Sequence, residues 1–176
     1  KEIEMQGALF DRKRVVNQLH WGGGTPTFLD YSQMSRLMAT TRQHFQLKDD
    51  DSGEYSIEID PRATDDQTIK QLRELGFNRI SLGVQDFDPA VQQAVNRIQS
   101  EAETFAVLEA ARKHGFRSSS IDLIYGLPKQ SVASFSVTLD KILTVSPDRF
   151  SIFNYAHLPA RFKTQRQIND ADMPSA

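Results

Sequence analysis

The feature that most constrains the fold is the regular alternation of strand-like and helix-like segments. Five segments have the short, apolar, β-rich pattern of a strand, and a region with helical periodicity fills each gap between them. We assign the strands to 15–21, 55–60, 79–85, 119–125 and 150–155, after a first helix over about 2–14. Because parallel strands need a helical crossover between them, this order predicts an α/β protein with a parallel sheet.

The length limits how far that sheet can close. A complete eight-fold barrel needs about 250 residues, whereas this sequence has 176. Five strands therefore predict a partial (β/α) TIM-like barrel whose two edge strands need neighbours. We assign 1–158 to the barrel core and the polar stretch 159–176 to a connector toward further sequence. The chain begins with lysine, and we expect it to be a piece of a longer protein.

Capping residues indicate where the helices begin and end. We expect helix starts at Asp30 with Gln33, Thr64 with Gln67, Ser100 with Glu103, and Asp88 before a proline. The first three pairs have the spacing of a capping box, and proline is favoured at the first position of a helix. Two helices are expected to end at a glycine followed by phenylalanine, at Gly76 and Gly115.

Composition excludes several classes of protein. Lys and Arg total 21 against 23 Asp and Glu, which gives a net charge of -2, so no basic surface is available for generic binding to nucleic acid or anionic membrane. No stretch has the roughly 20 apolar residues of a membrane span. The sequence has no cysteine, and its histidines lack metal-binding spacing, so we assign no metal ligand. We expect neither nucleic acid nor membrane as a partner, and a cytoplasmic location.

The polar face of the strands indicates a site. In the strand at 55–60, Tyr55, Ile57 and Ile59 share one face, while Glu58 lies on the other. The next two strands repeat this split, with Gln85 and Asp122 on the polar face. Such side chains are costly in a packed interior without partners, whereas ligands of α/β folds bind at the carboxyl ends of strands. We therefore expect an open interior that holds a polar ligand; a flat sheet with one wet face is the alternative.

The first strand ends in three glycines, Gly22, Gly23 and Gly24, followed by Thr25. Glycines permit positive φ angles and a close approach of a ligand to backbone groups. The run matches neither the dinucleotide fingerprint nor the phosphate loop. A tight turn without a ligand is the other interpretation.

Taken in order, these segments resemble the core of the radical S-adenosylmethionine enzymes. The motifs are Gly-Gly-Gly-Thr-Pro at 22–26, Ile-Glu-Ile-Asp-Pro at 57–61, Gly-Val-Gln-Asp-Phe at 83–87, Asn-Arg at 96–97, and Asp-Leu-Ile-Tyr-Gly-Leu-Pro at 122–128. Each motif is weak alone, but the ordered set spans about 21–159. The segments 95–97 and 154–159 favour the branch that oxidises coproporphyrinogen III in heme biosynthesis over the related heme chaperones.

The resemblance implies an enzyme with a [4Fe-4S] cluster, held by three cysteines of a CxxxCxxC loop, and two S-adenosylmethionine molecules. A 5'-deoxyadenosyl radical would convert two propionate side chains of coproporphyrinogen III to vinyl groups, giving protoporphyrinogen IX. A flavodoxin-like electron donor and a monomeric state are implied as well. Because CxxxCxxC does not occur in this sequence, we expect the cluster ligands before Lys1 and no turnover from this chain alone. A heme chaperone and a barrel-type binding module without radical chemistry are the alternatives.

The resemblance also implies the cofactor-binding residues, beginning with the glycine run. Gly23, Gly24 and Thr25 would hold the methionyl end of the cofactor through backbone contacts. Glu58 would accept hydrogen bonds from an amine or from ribose hydroxyls.

The remaining implied residues lie on later strands and loops. Gln85 and Asp122 would contact the second cofactor, Arg97 would pair with a carboxylate, and Ala156 would lie against the adenine or sugar of the first cofactor. An internal ion pair between Glu58 and Arg97 is the structural alternative, and Ala156 is then a small residue at a tight contact. No catalytic residue is assigned.

Overall fold

A five-stranded parallel sheet forms the centre of the computed structural model, which describes residues 1–174. The strands are β1 (Val15–Val16), β2 (Gln18–Trp21), β3 (Gln46–Leu47), β4 (Glu54–Ile59), β5 (Arg79–Gln85), β6 (Ser118–Tyr125) and β7 (Arg149–Asn154). The main sheet has the order β2-β4-β5-β6-β7, while β1 and β3 form a separate parallel pair. All neighbours in the main sheet are parallel. The sheet is open, so the expected parallel α/β fold with a partial barrel is confirmed.

Helices fill the crossovers of the main sheet, and one further helix precedes the first strand. They are α1 (Glu2–Gly7), α2 (Tyr31–His44), α3 (Asp66–Glu74), α4 (Pro89–Ala94), α5 (Glu101–Lys113) and α6 (Val132–Thr144). The buried core lies between the helices and one face of the sheet, where Ile57 and Leu82 pack with Leu72 and Leu108. The opposite face of the sheet carries the polar residues, as the alternation along the strands predicts.

Most of the predicted helix boundaries are confirmed. The capping boxes at Asp30 and Ser100 form, and Asp88 caps α4. Gly76 and Gly115 follow helix ends with φ of 100° and 78°, a left-handed conformation that glycine adopts without steric cost.

Some of the predicted boundaries are wrong. The capping box at Thr64 does not form, because a short 3-10 helix over Pro61–Ala63 ends there and the Thr64 hydroxyl donates to the Asp60 carbonyl oxygen at 2.8 Å. The side chain of Asp65 caps α3 instead. A capping box at Ser131, which begins α6, was not predicted.

The predicted elements at the amino terminus are too long. The first helix ends at Gly7 rather than near residue 14, because the chain continues in a tighter turn in which the Leu9 N-H donates to the Gln6 carbonyl oxygen at 3.0 Å. Gly7 also packs closely on α2, where a Cβ atom would lie 2.8 Å from the Cβ of His44. The predicted strand 15–21 is two strands, because Val15 pairs with Gln46 whereas Gln18 pairs with Glu54 of a different sheet.

The segment 159–174 contains two short 3-10 helices, Lys163–Gln167 and Asp170–Asp172. The second contacts the loop after β6, where the Lys129 N-H donates to the Asp172 carbonyl oxygen at 2.6 Å. Residues 175 and 176 of the proposed connector lie outside the described residues. The division into a core and a connector stays a prediction.

Within residues 1–174, no helix combines the length and the hydrophobicity that a membrane span requires.

Candidate functional site

The carboxyl ends of β2, β4, β5 and β6 surround a polar cavity of about 170 Å³. Its lining residues are Gly24, Thr25, Glu58, Ile59, Asp60, Gly83, Gln85, Arg97 and Asp122. Apart from Gly23 and Ala156, all the cofactor-binding residues predicted from the sequence line this cavity. Parallel strands bring these residues together because their carboxyl ends lie at one edge of the sheet.

The glycine loop is held directly on a carboxylate. Gly23 and Gly24 have φ of 80° and 103°, which favours glycine, and the Gly23 N-H donates to Glu58 Oε2 at 3.1 Å. A Cβ atom on Gly22 would lie 2.6 Å from Glu58 Oε1. The first glycine is therefore needed for space and the next two for backbone conformation.

A histidine that the sequence reasoning did not select supports the same carboxylate. His20 Nε2 lies 3.2 Å from Glu58 Oε1, and its Nδ1 lies 2.8 Å from Ser56 Oγ. In the sheet register His20 is opposite Ser56, which places it on the polar face. Residues two apart in a strand lie on the same face, so His20 is on the face of Gly22. Strand parity could therefore have identified it.

Arg97 pairs with Asp60 rather than with Glu58. Its Nη2 lies 3.7 Å from Asp60 Oδ1 and donates to the Gly83 carbonyl oxygen at 2.8 Å. Arg62 binds the same Asp60 carboxylate, with Nη2 2.6 Å from Oδ2. Hydrogen bonding from Arg62 lowers the pKa of Asp60, while burial lowers the pKa of Arg97. The internal Glu58–Arg97 ion pair, offered as a structural alternative, is wrong.

The pKa of Asp122 is shifted in the opposite direction to that of Asp60. The Ser81 hydroxyl lies 2.8 and 2.9 Å from its two carboxylate oxygens. Burial nevertheless raises the pKa of Asp122, and the nearby charge of Glu58 raises it further. The carboxylates of one cavity therefore differ in how readily they ionise.

Gln85 has an unusual backbone and an unpaired side chain. Its φ is 68°, and the pairing register with β6 shifts between Gly83 and Gln85. Gln85 Oε1 and Arg97 Nε are buried and lack a hydrogen-bond partner. Buried polar atoms are normally paired, so both atoms are suited to polar groups of a ligand.

A second cavity of about 420 Å³ adjoins the first, sharing Gln85 and Arg97 and extending to Tyr155 and Ile168. Ala156 lines neither cavity. Its carbonyl oxygen accepts a hydrogen bond from Gln165 Nε2 at 2.9 Å, just beyond the end of β7. Nowhere in residues 1–174 do three or more His, Asp or Glu side chains group as metal ligands would.

The open parallel sheet and its polar strand ends agree with the comparisons with known proteins. The model of the Radical SAM superfamily matches residues 1–142, and the chain belongs to that superfamily. The oxygen-independent coproporphyrinogen III oxidase of Pseudomonas aeruginosa is 58% identical over 175 residues, which are 99% of this chain and 38% of that protein.

Solved structures of radical SAM enzymes are similar to this chain in fold. Coproporphyrinogen III oxidase from Escherichia coli, described as a radical SAM enzyme, is 53% identical with a TM-score of 0.93 over 99% of this chain and 39% of that chain. The radical S-adenosylmethionine methyltransferase TsrM from Kitasatospora setae, 11% identical with a TM-score of 0.67, covers 89% of this chain and 30% of its own, and is similar in fold. The chain thus spans about 38% of the length of the curated relatives it matches.

Proposed function

We propose that the protein containing this sequence is an oxygen-independent coproporphyrinogen III oxidase. It would decarboxylate two propionate side chains of coproporphyrinogen III oxidatively to vinyl groups, giving protoporphyrinogen IX in heme biosynthesis. The observation that carries the proposal is the convergence of the family motifs on one cavity, in a chain 58% identical to an oxidase of that name.

The cavity is suited to the cofactor that the family implies. The unpaired Gln85 Oε1 and Arg97 Nε offer an acceptor and a donor, and the glycine loop exposes backbone groups. S-adenosylmethionine, bound to a reduced [4Fe-4S] cluster, supplies one-electron hydrogen-abstraction chemistry in this family, and the protein supplies binding and orientation. Since this sequence contains no cysteine, its residues would hold the S-adenosylmethionine but not the cluster.

The first cofactor molecule would bind between the glycine loop and β4. Gly23, Gly24 and Thr25 would contact its methionyl end through backbone groups. Glu58, oriented by Gly23 and His20, would accept hydrogen bonds from its amine or ribose hydroxyls. Ala156 would lie against its adenine or sugar.

A second S-adenosylmethionine would bind toward β5 and β6. Gln85 and Asp122 would hydrogen-bond its polar groups. Arg97 would bind its carboxylate, because a guanidinium with a free Nε can pair with both oxygens of that group. The adjoining cavity shares Gln85 and Arg97 with the first, and this supports two neighbouring sites.

The proposed partners follow from the same function. We propose a flavodoxin-like electron donor, a monomeric and cytoplasmic enzyme, and no binding of nucleic acid or membrane. The near-neutral charge of this sequence supports the last point.

An anaerobic assay of the full-length protein tests the proposal. The protein would be supplied with coproporphyrinogen III, S-adenosylmethionine and a low-potential reductant. We expect protoporphyrinogen IX and the release of carbon dioxide. Heme binding without vinyl formation would instead identify a heme chaperone. Failure to bind S-adenosylmethionine would favour the remaining alternative, a barrel-type binding module without radical chemistry.

A further inference from the structure

Asp86 is a buried carboxylate next to the candidate site for which the proposed function supplies no role. It is 1% exposed. The Thr138 hydroxyl donates to Asp86 Oδ1 at 2.6 Å, the Asp88 N-H donates to the same oxygen at 2.8 Å, and Gln130 Nε2 donates to Oδ2. These donors are uncharged. A buried charge is costly. Because only uncharged donors stabilise it, the Asp86 carboxylate depends on each of these three hydrogen bonds.

Gln130 connects Asp86 to the loop after β6 through hydrogen bonds. Its Oε1 accepts from the N-H groups of Gly126 and Leu127, at 2.6 and 3.3 Å. Its Nε2 donates to the Ile124 carbonyl oxygen at 2.9 Å as well as to Asp86. Because the amide oxygen faces donors and the amide nitrogen faces acceptors, Asp86 acts together with these backbone groups to fix which way the Gln130 amide points.

Asp86 also closes a strained turn at Gln85. The Asp86 N-H donates to the Val84 carbonyl oxygen at 2.9 Å, across a residue with φ of 68°. A hydrogen bond from residue i+2 to residue i around a positive φ is the rare form of the γ-turn. Such strain persists only where the surroundings hold it. Thr138 supplies that support, since its hydroxyl donates to Asp86 and accepts the Phe87 N-H at 3.2 Å.

We propose that Asp86 is a positioning residue for ligand binding. It holds Gln85 in the conformation that directs its amide into the cavity, and it holds the Gly126–Leu127 turn beside it through Gln130. This inference rests on the proposed function only in naming S-adenosylmethionine as the ligand. Asp86, Gln130 and Thr138 together form what we call the clamp, and their contacts are present in the chain without ligand.

Asp86→Asn tests the clamp in the full-length protein because it retains shape and removes one acceptor. The new NH2 group would face Gln130 Nε2, and rotation of Gln130 would turn its own NH2 toward Gly126 and Leu127. Adding Gln130→Glu restores the pairing with position 86, since the amide introduced there can donate to the carboxylate introduced at position 130, but it removes the hydrogen bond to the Ile124 carbonyl oxygen. Asn78→Asp is the matched control. Asn78 is equally buried and donates to the Gly53 carbonyl oxygen at 2.7 Å at the opposite end of the sheet.

Two measurements separate positioning from loss of stability. In ligand-free protein, Asp86→Asn should speed hydrogen exchange of the backbone amides at positions 86, 126 and 127 by about tenfold, and Asn78→Asp should not. In turnover, Asp86→Asn should raise KM for S-adenosylmethionine by about tenfold or more, with partial recovery in the double variant.

Equal exchange at these amides in both single variants would overturn the clamp. Faster exchange with an unchanged KM would overturn its role in binding. If the wild-type protein neither binds nor cleaves S-adenosylmethionine, the proposed function and the binding role are refuted together. The exchange experiment still decides whether the clamp exists, so the two failures are distinguishable.

Discussion

Replacing Gly22 by alanine tests whether the glycine loop and Glu58 form one unit. The new Cβ atom would lie 2.5 Å from His20 Nε2 and 2.6 Å from Glu58 Oε1. Ordinary contact begins near 3.4 Å, so the carboxylate has to move by about 0.8 Å, the difference between 3.4 and 2.6 Å. His20 has to move as well, and we expect these shifts to break the hydrogen bonds of the carboxylate to Gly23 and His20.

The cost to stability should be small because the site is open to solvent. A hydrogen bond to a charged group contributes about 1.5–3 kcal/mol when buried. The Glu58 side chain is 41% exposed, so screening reduces that value, and we expect Gly22→Ala to lower the free energy of unfolding by about 1 kcal/mol. Affinity should fall further, by about 10- to 100-fold for S-adenosylmethionine, because a ligand-binding group is displaced by nearly 1 Å.

The assay is calorimetric titration with S-adenosylmethionine, together with thermal unfolding. Gly53→Ala is the matched control, since its Cβ would lie 2.8 Å from Tyr55 Cζ at the opposite end of the sheet. The control should lose stability but not affinity. Adding His20→Ala to Gly22→Ala makes room for the carboxylate and should recover part of the affinity. Wild-type affinity in Gly22→Ala would refute the proposed role of Glu58.

Three further predictions concern charge and the cluster. Burial raises the pKa of Asp122, so its ionisation destabilises the fold as the pH rises from the unfolded-state pKa through the folded-state pKa. Asp122→Asn should therefore raise Tm at pH 7 but not at pH 3. An equal change in Tm at both pH values would contradict this prediction. Arg97→Met should weaken S-adenosylmethionine binding by about tenfold or more. Tm should change little, because the buried guanidinium is desolvated and Asp60 retains its ion pair with Arg62. Unchanged affinity would show that Arg97 does not bind the ligand. Anaerobic reconstitution of this chain with iron and sulfide should give no stable cluster by absorbance, and a stable cluster that cleaves S-adenosylmethionine would refute the need for cysteines elsewhere.

Strand parity is the reason that much of this site could be predicted. Side chains alternate across a strand, so the sequence alone places Glu58 and Asp122 on the face away from the helices, and the structure has both in one cavity. The predicted bounds of β4 to β7 agree with the structure to within one residue. The amino-terminal elements were mispredicted because tertiary pairing decides them: the Val15 and Gln18 strands have similar local patterns but pair with different partners.

Pairings between distant side chains could not be predicted from the sequence. Arg97 follows α4, and only the turn of the loop decides that it reaches Asp60 rather than Glu58. Asp86 was visible as part of a motif, but its donors Thr138 and Gln130 lie on α6 and in the loop before it, far away in sequence. Local propensity carries no information about such contacts.

The distribution of charge in the cavity supports a ligand with separated charges over a simple anion or cation. Asp122, whose pKa is raised, and Glu58 lie near each other, which favours a group that donates hydrogen bonds or carries positive charge. Arg97 has its Nε unpaired, which favours a carboxylate. The methionyl end of S-adenosylmethionine carries an amine and a carboxylate on one carbon, so the second molecule proposed above would present its amine to Asp122 and its carboxylate to Arg97. A ligand with only a positive charge would leave Arg97 Nε without a partner, and a ligand with only a negative charge would lie beside the acidic pair.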